Sequence, residues 1–259
     1  MTALSHAEHG QTAYRVRFDW GPAGARALVA DARPGDAAVV VDVLSFTTTL
    51  TVAVEHGVEV LPYPWAVEDA ASYAERHGAV LAVGRREGLA RGVVSLSPAS
   101  FLGVTGTPRV VLPSPNGSTI AFALAEAGVT VVGASLRNAG AVGSWLAGRS
   151  GRVCVVAAGE RWPDGSLRPA VEDLWGAGAL LDALLGGPDE ASPEASPEAW
   201  AAAASYAAVR GRMAELVPAC ASGRELVAGG FEADVEIAAS ADVSAVVPVW
   251  RDGAFVDGR

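Results

Sequence analysis

Asp42 closes the apolar run Ala38-Val39-Val40-Val41 and is followed closely by Ser45, Thr47, Thr48 and Thr49. A β-branched run of this kind forms a buried strand, and hydroxyl side chains at the following turn can cap the unpaired N–H groups of a helix start. Such a turn suits an oxyanion. A carboxylate beside it does not, unless a divalent cation completes the site or Asp42 is itself a turn cap. A second junction of similar design is Pro113-Ser114-Pro115-Asn116-Gly117-Ser118-Thr119. Asn-Gly favours a tight turn, and Ser118 or Thr119 can cap the helix that follows. Thr47, Thr48, Asn116, Gly117 and Ser118 are therefore candidate substrate-binding positions for a phosphate or sulfonate group.

Glu172 and Asp173 stand together ahead of a small-residue run containing Gly176 and Gly178. Acids in a first helical turn complement its dipole, and they are equally suited to ligating a metal. Each glycine costs a helix about 1 kcal/mol, which close packing or an adjacent cavity would rationalise. Asp234, beside Gly229-Gly230, is a further carboxylate candidate. Arg85 and Arg224 offer the forked donors that hold an acidic substrate group. His6, His9, His56 and His77 have no metal spacing, and no dinucleotide-binding, P-loop, zinc-protease or hydrolase-triad motif occurs. Asp42 does not begin an Asp-x-Asp pair, which favours metal-activated water over a phospho-aspartate. The resulting expectation is a site for a small phosphate ester plus Mg²⁺. Asp42, Glu172 and Asp173 are its catalytic candidates, and the same three with Asp234 are its metal candidates.

Alternating strand and helix signals must position these groups. Strands are predicted over residues 14–20, 58–61, 79–83, 109–112, 129–132 and 152–157, besides the run ending at Asp42. Helices are predicted over 24–32, 48–56, 68–77, 120–127, 171–185 and 199–216. This rhythm predicts an α/β fold with a mainly parallel or mixed sheet flanked by helices. Ligands collect beyond strand C-termini in such sheets, which puts Asp42, Asn116, Glu160, Glu172 and Asp173 on one rim. The arginines of the first strand are expected to face solvent. Prolines are expected to break the chain at 62 and 64 and to hold the last strand, 244–250, at an edge or bulge. Residues 14–259 are read as a single α/β domain, with a split into two subdomains near 135–150 left open. Residues 1–13 are read as a flexible N-terminus and the Ala-Ser-Pro-Glu repeats of 186–198 as a flexible surface insert.

The 259 residues carry a net charge of −10 and no uninterrupted apolar run of membrane-spanning length. Nucleic acid and membrane are therefore not expected partners, whereas a small anionic phosphorylated metabolite is. Residues 1–10 lack a basic lead and an apolar run, so no secretory leader is expected and the cytoplasm is the default location. Two cysteines make no disulfide framework and are expected to be reduced and non-catalytic. A homo-oligomer remains open.

Val41-Asp42-Val43-Leu44-Ser45-Phe46-Thr47, Pro115-Asn116-Gly117-Ser118, Asn138-Ala139, Glu172-Asp173 before Gly176-Ala177-Gly178, and Gly223-Arg224-Glu225-Leu226 with Asp234 occur in the order of a known family. Over most of residues 36–250 the chain resembles the 2-phosphosulfolactate phosphatases. That resemblance implies Mg²⁺-dependent removal of phosphate from 2-phospho-3-sulfolactate, a step of coenzyme M biosynthesis. The chain departs from the family pattern Asp-Val-Leu-Arg-Ala-Thr by having Ser45 in the arginine position. The Gly-Glu-Arg pattern appears as Gly84-Arg85-Arg86, which makes Arg85 a candidate to compensate for Ser45. The missing arginine motivates an alternative: a non-catalytic small-anion-binding or scaffold protein diverged from the phosphatases.

Overall fold

The computed structural model describes residues 8–64, 69–187 and 192–259. Parts of three predicted segments lie outside the described residues: 1–7 of the N-terminus, Glu68 at a helix start, and 188–191 of the insert. The chain runs β1 (Val16–Trp20), α1 (Gly21–Val29), β2 (Ala37–Val41), α2 (Phe46–Glu55), β3 (Glu59–Pro64), α3 (Ala70–Arg76), β4 (Val80–Leu81) and α4 (Arg85–Arg91). After a 3₁₀ turn at Pro98–Phe101 come β5 (Arg109–Ser114), α5 (Gly117–Glu126), β6 (Thr130–Ala134), α6 (Ala139–Ala147) and β7 (Val153–Ala157). A small ribbon, β8 (Glu160–Arg161) and β9 (Leu167–Arg168), precedes α7 (Val171–Leu185) and α8 (Pro197–Ala207). The chain closes with α9 (Met213–Ala219), α10 (Ala221–Ala228), α11 (Glu232–Ala239) and the hairpin β10 (Pro248–Arg251) and β11 (Ala254–Asp257).

The fold is α/β, and its nine-stranded sheet is mixed, in the order β1-β7-β2-β6-β10-β11-β3-β5-β4. β1, β7, β2 and β6 form one parallel block and β3, β5 and β4 another. The C-terminal hairpin joins them through antiparallel contacts on each side. A sheet twist of roughly 20–25° per pair accumulates to on the order of 100° over the five steps from β2 to β5. Three antiparallel steps set the two blocks running in opposite senses, and the β5–α5 corner meets the β2–α2 corner. Strand alternation divides the interior in two: Val39 and Val41 face a core shared with α6, α7 and α8, while Ala38 and Val40 face one built on α2, α5 and Phe255.

Several expectations change. Arg17 is fully buried rather than solvent-facing, because α1 folds back over β1. Its guanidinium donates to Asp31 at 3.0 Å and to the carbonyls of Tyr14, Leu28 and Thr12. Pro62 and Pro64 do not end β3. Glu59 donates towards β5, so the alternate positions 62 and 64 face β11, where β3 is paired only at Val60. β10 lies inside the sheet rather than at an edge, and tolerates Pro248 because it is the strand's first residue. The helix predicted over 199–216 is two helices, separated at Gly211, whose φ is +84°. The insert is not all surface. Ala195 and Ser196 are buried, Ser196 donates to the Val16 carbonyl at 2.9 Å, and its hydroxyl caps α8. In the N-terminal segment, the Gln11 side chain bonds both backbone groups of Phe18. No helix among the described residues is long and apolar enough to cross a membrane.

Candidate active site

Where β2 ends, the chain turns sharply into α2 and the turn is pinned from within. Thr47 Oγ1 accepts the Asp42 N–H at 2.9 Å and donates to the Asp42 carbonyl at 2.8 Å, and Thr48 Oγ1 donates to the Val43 carbonyl at 2.7 Å. Both threonines are fully buried. They shape the turn, with both hydroxyl hydrogens given to backbone carbonyls. The Asp42 carboxylate is held by two amides, Phe46 N–H on Oδ1 at 3.1 Å and Gly117 N–H on Oδ2 at 2.9 Å.

The second predicted anion turn is committed in the same way. Ser118 Oγ accepts the Ser114 N–H and faces the Ser114 and Tyr63 carbonyls at 2.7 Å, so it fastens α5 to β5 and β3. Asn116 donates to Glu160 at 3.0 Å and accepts from Arg161 Nε at 3.2 Å. Its amide thus ties the β5–α5 turn to the β8–β9 ribbon.

α7 brings the paired acids. Gly176 lies so close to β2 that a Cβ there would stand 2.6 Å from Val43 and 2.8 Å from Val41, and a Cβ at Gly178 would lie 2.2 Å from the Ala202 carbonyl of α8. Close packing, not helix propensity, requires these two glycines. Asp173 then reaches across the sheet end, accepting the Val43 N–H at 2.7 Å and the Gly159 N–H at 2.8 Å. Glu172 is 2% exposed, and its Oε2 has no hydrogen-bond partner among the described residues. An orphaned buried carboxylate oxygen calls for a ligand or a proton.

These acids feel one another. Burial pushes Asp42 up to about 6, against the pull of its two amides and the Arg85 charge, with Glu172 adding to the rise. Asp173 is held well above the ordinary carboxylate range by burial and by the charges of Asp42 and Glu172. Glu160 rises to about 7 through burial and the Asp42 charge, opposed by its Asn116 hydrogen bond. Glu160, expected on this rim, stands at the head of the ribbon and accepts a hydrogen bond from Asn116.

Arg85 stands at the border of the group. Its Nη2 donates to Ser45 Oγ and its Nε to Asp234 Oδ2 at 3.2 Å. Asp234 also accepts from the Ser97 hydroxyl and, at 3.4 Å, from the Ala99 N–H. Asp234 thus holds Arg85 and the 3₁₀ turn. Arg224 lies exposed on α10, with no side-chain hydrogen bond among the described residues. The cysteines are buried and free, and burial pushes Cys154 up to about 11 and Cys220 to about 12, away from the reactive thiolate.

Among the described residues, no three His, Cys, Asp or Glu side chains are gathered as a ready-made ion cage. Mg²⁺ does not require one. It keeps several waters and is commonly held by one or two carboxylates together with substrate phosphate. The orphan Oε2 of Glu172 and the second lone pairs of Asp42 fit that smaller demand.

A family model described as 2-phosphosulpholactate phosphatase matches residues 26–253. The chain is 31% identical over 231 residues to a probable 2-phosphosulfolactate phosphatase of Deinococcus radiodurans, covering 87% of this chain and 92% of the relative. A protein of the same description from Thermus thermophilus is 33% identical, with 83% and 88% covered. The 2-phosphosulfolactate phosphatase of Methanothermobacter thermautotrophicus is 30% identical, with 83% and 87% covered.

Proposed function

The chain belongs to the 2-phosphosulfolactate phosphatase family, and on that footing we propose that it is a phosphatase that hydrolyses a small acidic phosphomonoester with Mg²⁺. The observation that carries the reading is the unpartnered Glu172 Oε2, buried near Asp42 and Asp173, on both of which its charge acts. Glu172 and Asp42 would hold the ion, which when bound offsets carboxylate repulsion and polarises the phosphate.

The protein's own groups divide the remaining work. Asp42, locked by two amides, presents its second lone pairs in a fixed direction and orients the attacking water. Glu160, raised to about 7, is partly protonated at neutral pH and can donate a proton to the leaving alkoxide. Arg85 is held at two points and binds the acidic tail of the substrate. Asp173 ties the end of β2 to the residue beyond β7 and so positions Asp42 without touching substrate. 2-Phosphosulfolactate, the substrate for which the family is named, is the first compound to assay; the cytoplasm is the proposed location.

Phosphate release from 2-phosphosulfolactate, 2-phospholactate and related esters, with Mg²⁺ or EDTA, tests the reading. Metal-dependent turnover of at least one ester is expected, and Glu172→Gln should raise the Mg²⁺ concentration needed for half-maximal rate. Saturable binding without turnover of any ester would instead support the non-catalytic anion-binding alternative.

A further inference from the structure

A cavity of about 700 Å³ opens beside the acidic group, walled by β4, α4, the segment around the 3₁₀ turn, residues 103–107 and the start of α11. Asp42, Glu160, Glu172 and Asp173 do not line it, whereas Arg85 and Asp234 do. Arg85 is thus the seam: one end of its guanidinium reaches Ser45, three residues beyond Asp42, and its Nε faces Asp234 in the cavity wall. Nη1 makes no hydrogen bond among the described residues and remains a donor pair for an anion.

The wall's polar groups are largely spent on each other. Ser95 Oγ accepts the Ser97 N–H, Ser100 Oγ accepts the Ser95 N–H and donates to the Ser97 carbonyl, and Ser97 Oγ donates to Asp234. What is left for an occupant is the free edge of Arg85, the hydroxyls of Thr105 and Thr107, and an apolar surface from Val94, Val104 and Phe231. At the mouth, Leu89 is 75% exposed and Val80 46%. The size lies within the range of pockets that take whole organic ligands, and an apolar surface with a few convergent polar groups is their usual character. A three-carbon sulfonate would leave most of it empty.

We propose that this cavity receives the organic body of the substrate, and that the preferred phosphomonoesters carry an acidic group for Arg85 and, beyond it, an apolar group of about aromatic-ring size. This assignment rests on the phosphatase reading for the phosphate end alone. Phosphate sits with Asp42, the acid on Arg85 Nη1, and the apolar group against Val104 and Phe231.

Two acids, lactate and 3-phenyllactate, are titrated calorimetrically into the intact protein, and turnover is measured with 2-phospholactate and 2-phospho-3-phenyllactate. Burying a phenyl group predicts that 3-phenyllactate binds at least about tenfold more tightly. Gly103→Trp fills the cavity from its rim, where an added Cβ meets nothing within 4 Å, and Leu89→Asp places a charge at the mouth on an exposed helix position. Each should bring the affinity ratio close to one. Equal affinities in the unmodified protein, or a phenyl preference that survives both substitutions, overturn the cavity assignment. Phenyl-selective binding with no phosphate released from either ester leaves the cavity assigned and removes the phosphatase reading. Turnover of 2-phospholactate without phenyl selectivity does the opposite.

Discussion

The backbone N–H of Gly117 donates to Oδ2 of Asp42 over 2.9 Å, fastening the helix that follows one parallel block of the sheet to the carboxylate that ends a strand of the other. A Cβ at residue 117 would lie 2.6 Å from that same oxygen and 2.5 Å from the Phe46 ring. The contact has no room for a methyl group.

Gly117→Ala must therefore push Asp42 or α5 aside. Overpacking of this kind costs about 1–3 kcal/mol, and displacing an oriented carboxylate should lower kcat at least about tenfold. Urea unfolding and steady-state kinetics measure the two effects. Unchanged stability together with unchanged kcat would show that the Asp42–Gly117 contact does not constrain the site.

Asp42→Asn keeps the shape but not the charge. One of the two amides then faces an NH₂ group instead of an oxygen, a loss of about 1–3 kcal/mol, while repulsion from Glu172 disappears. The fold should survive, and kcat should fall at least about 100-fold. A folded variant retaining nearly full kcat removes Asp42 from the catalytic role.

The parts of this arrangement readable in the sequence are those set by local chemistry. The apolar run ending at Asp42 forms β2, the Ala/Gly-rich segment behind Glu172-Asp173 forms α7, and the two turns reach one site. Hydroxyls in those turns were legible as caps or as anion donors, and sequence could not choose, because the choice depends on whether neighbouring carbonyls and N–H groups absorb them. Arg85 and Asp234 are 149 positions apart and belong to separate helices, so their pairing follows only from the packing of α11 on the 3₁₀ turn. Arg17 looked solvent-facing because alternation within one strand says nothing about a helix folding back across it. The reversal between parallel blocks was likewise hidden: it is made by the C-terminal hairpin, whose short strands meet their outer neighbours at single positions.

Acid titration should be readable in stability. Asp42 at about 6, Glu160 at about 7 and Asp173 well above the ordinary range all keep protons in the folded chain at pH values where the unfolded chain has released them. The folded state then binds more protons, so stability falls as pH rises from roughly 4 through 7. Asp31 and Asp36, held low by arginine hydrogen bonds, act below that window. Thermal melting without divalent cation should show Tm several degrees lower at pH 8 than at pH 5. Millimolar Mg²⁺ should recover most of that loss at pH 8 and little at pH 5. A Tm that rises over this range, or one that Mg²⁺ leaves unmoved at pH 8, contradicts a carboxylate group that awaits a cation.

Arg85 and Asp234 should behave as one unit. Asp234 is 2% exposed at its side chain and fixes the guanidinium whose far edge meets Ser45. Arg85→Ala removes the donor for the acidic tail, so KM should rise about tenfold or more with kcat changed little. Arg85→Lys should recover only part of the loss, since a single ammonium cannot reproduce the planar fork that reaches Asp234 and Ser45 together. Asp234→Asn should raise KM in the same direction by loosening Arg85, without touching substrate. If positioning is its role, the double variant Arg85→Ala/Asp234→Asn is no worse than Arg85→Ala alone, a coupling of about 1–3 kcal/mol in kcat/KM. Additive losses would instead mean that Asp234 acts on substrate or metal directly.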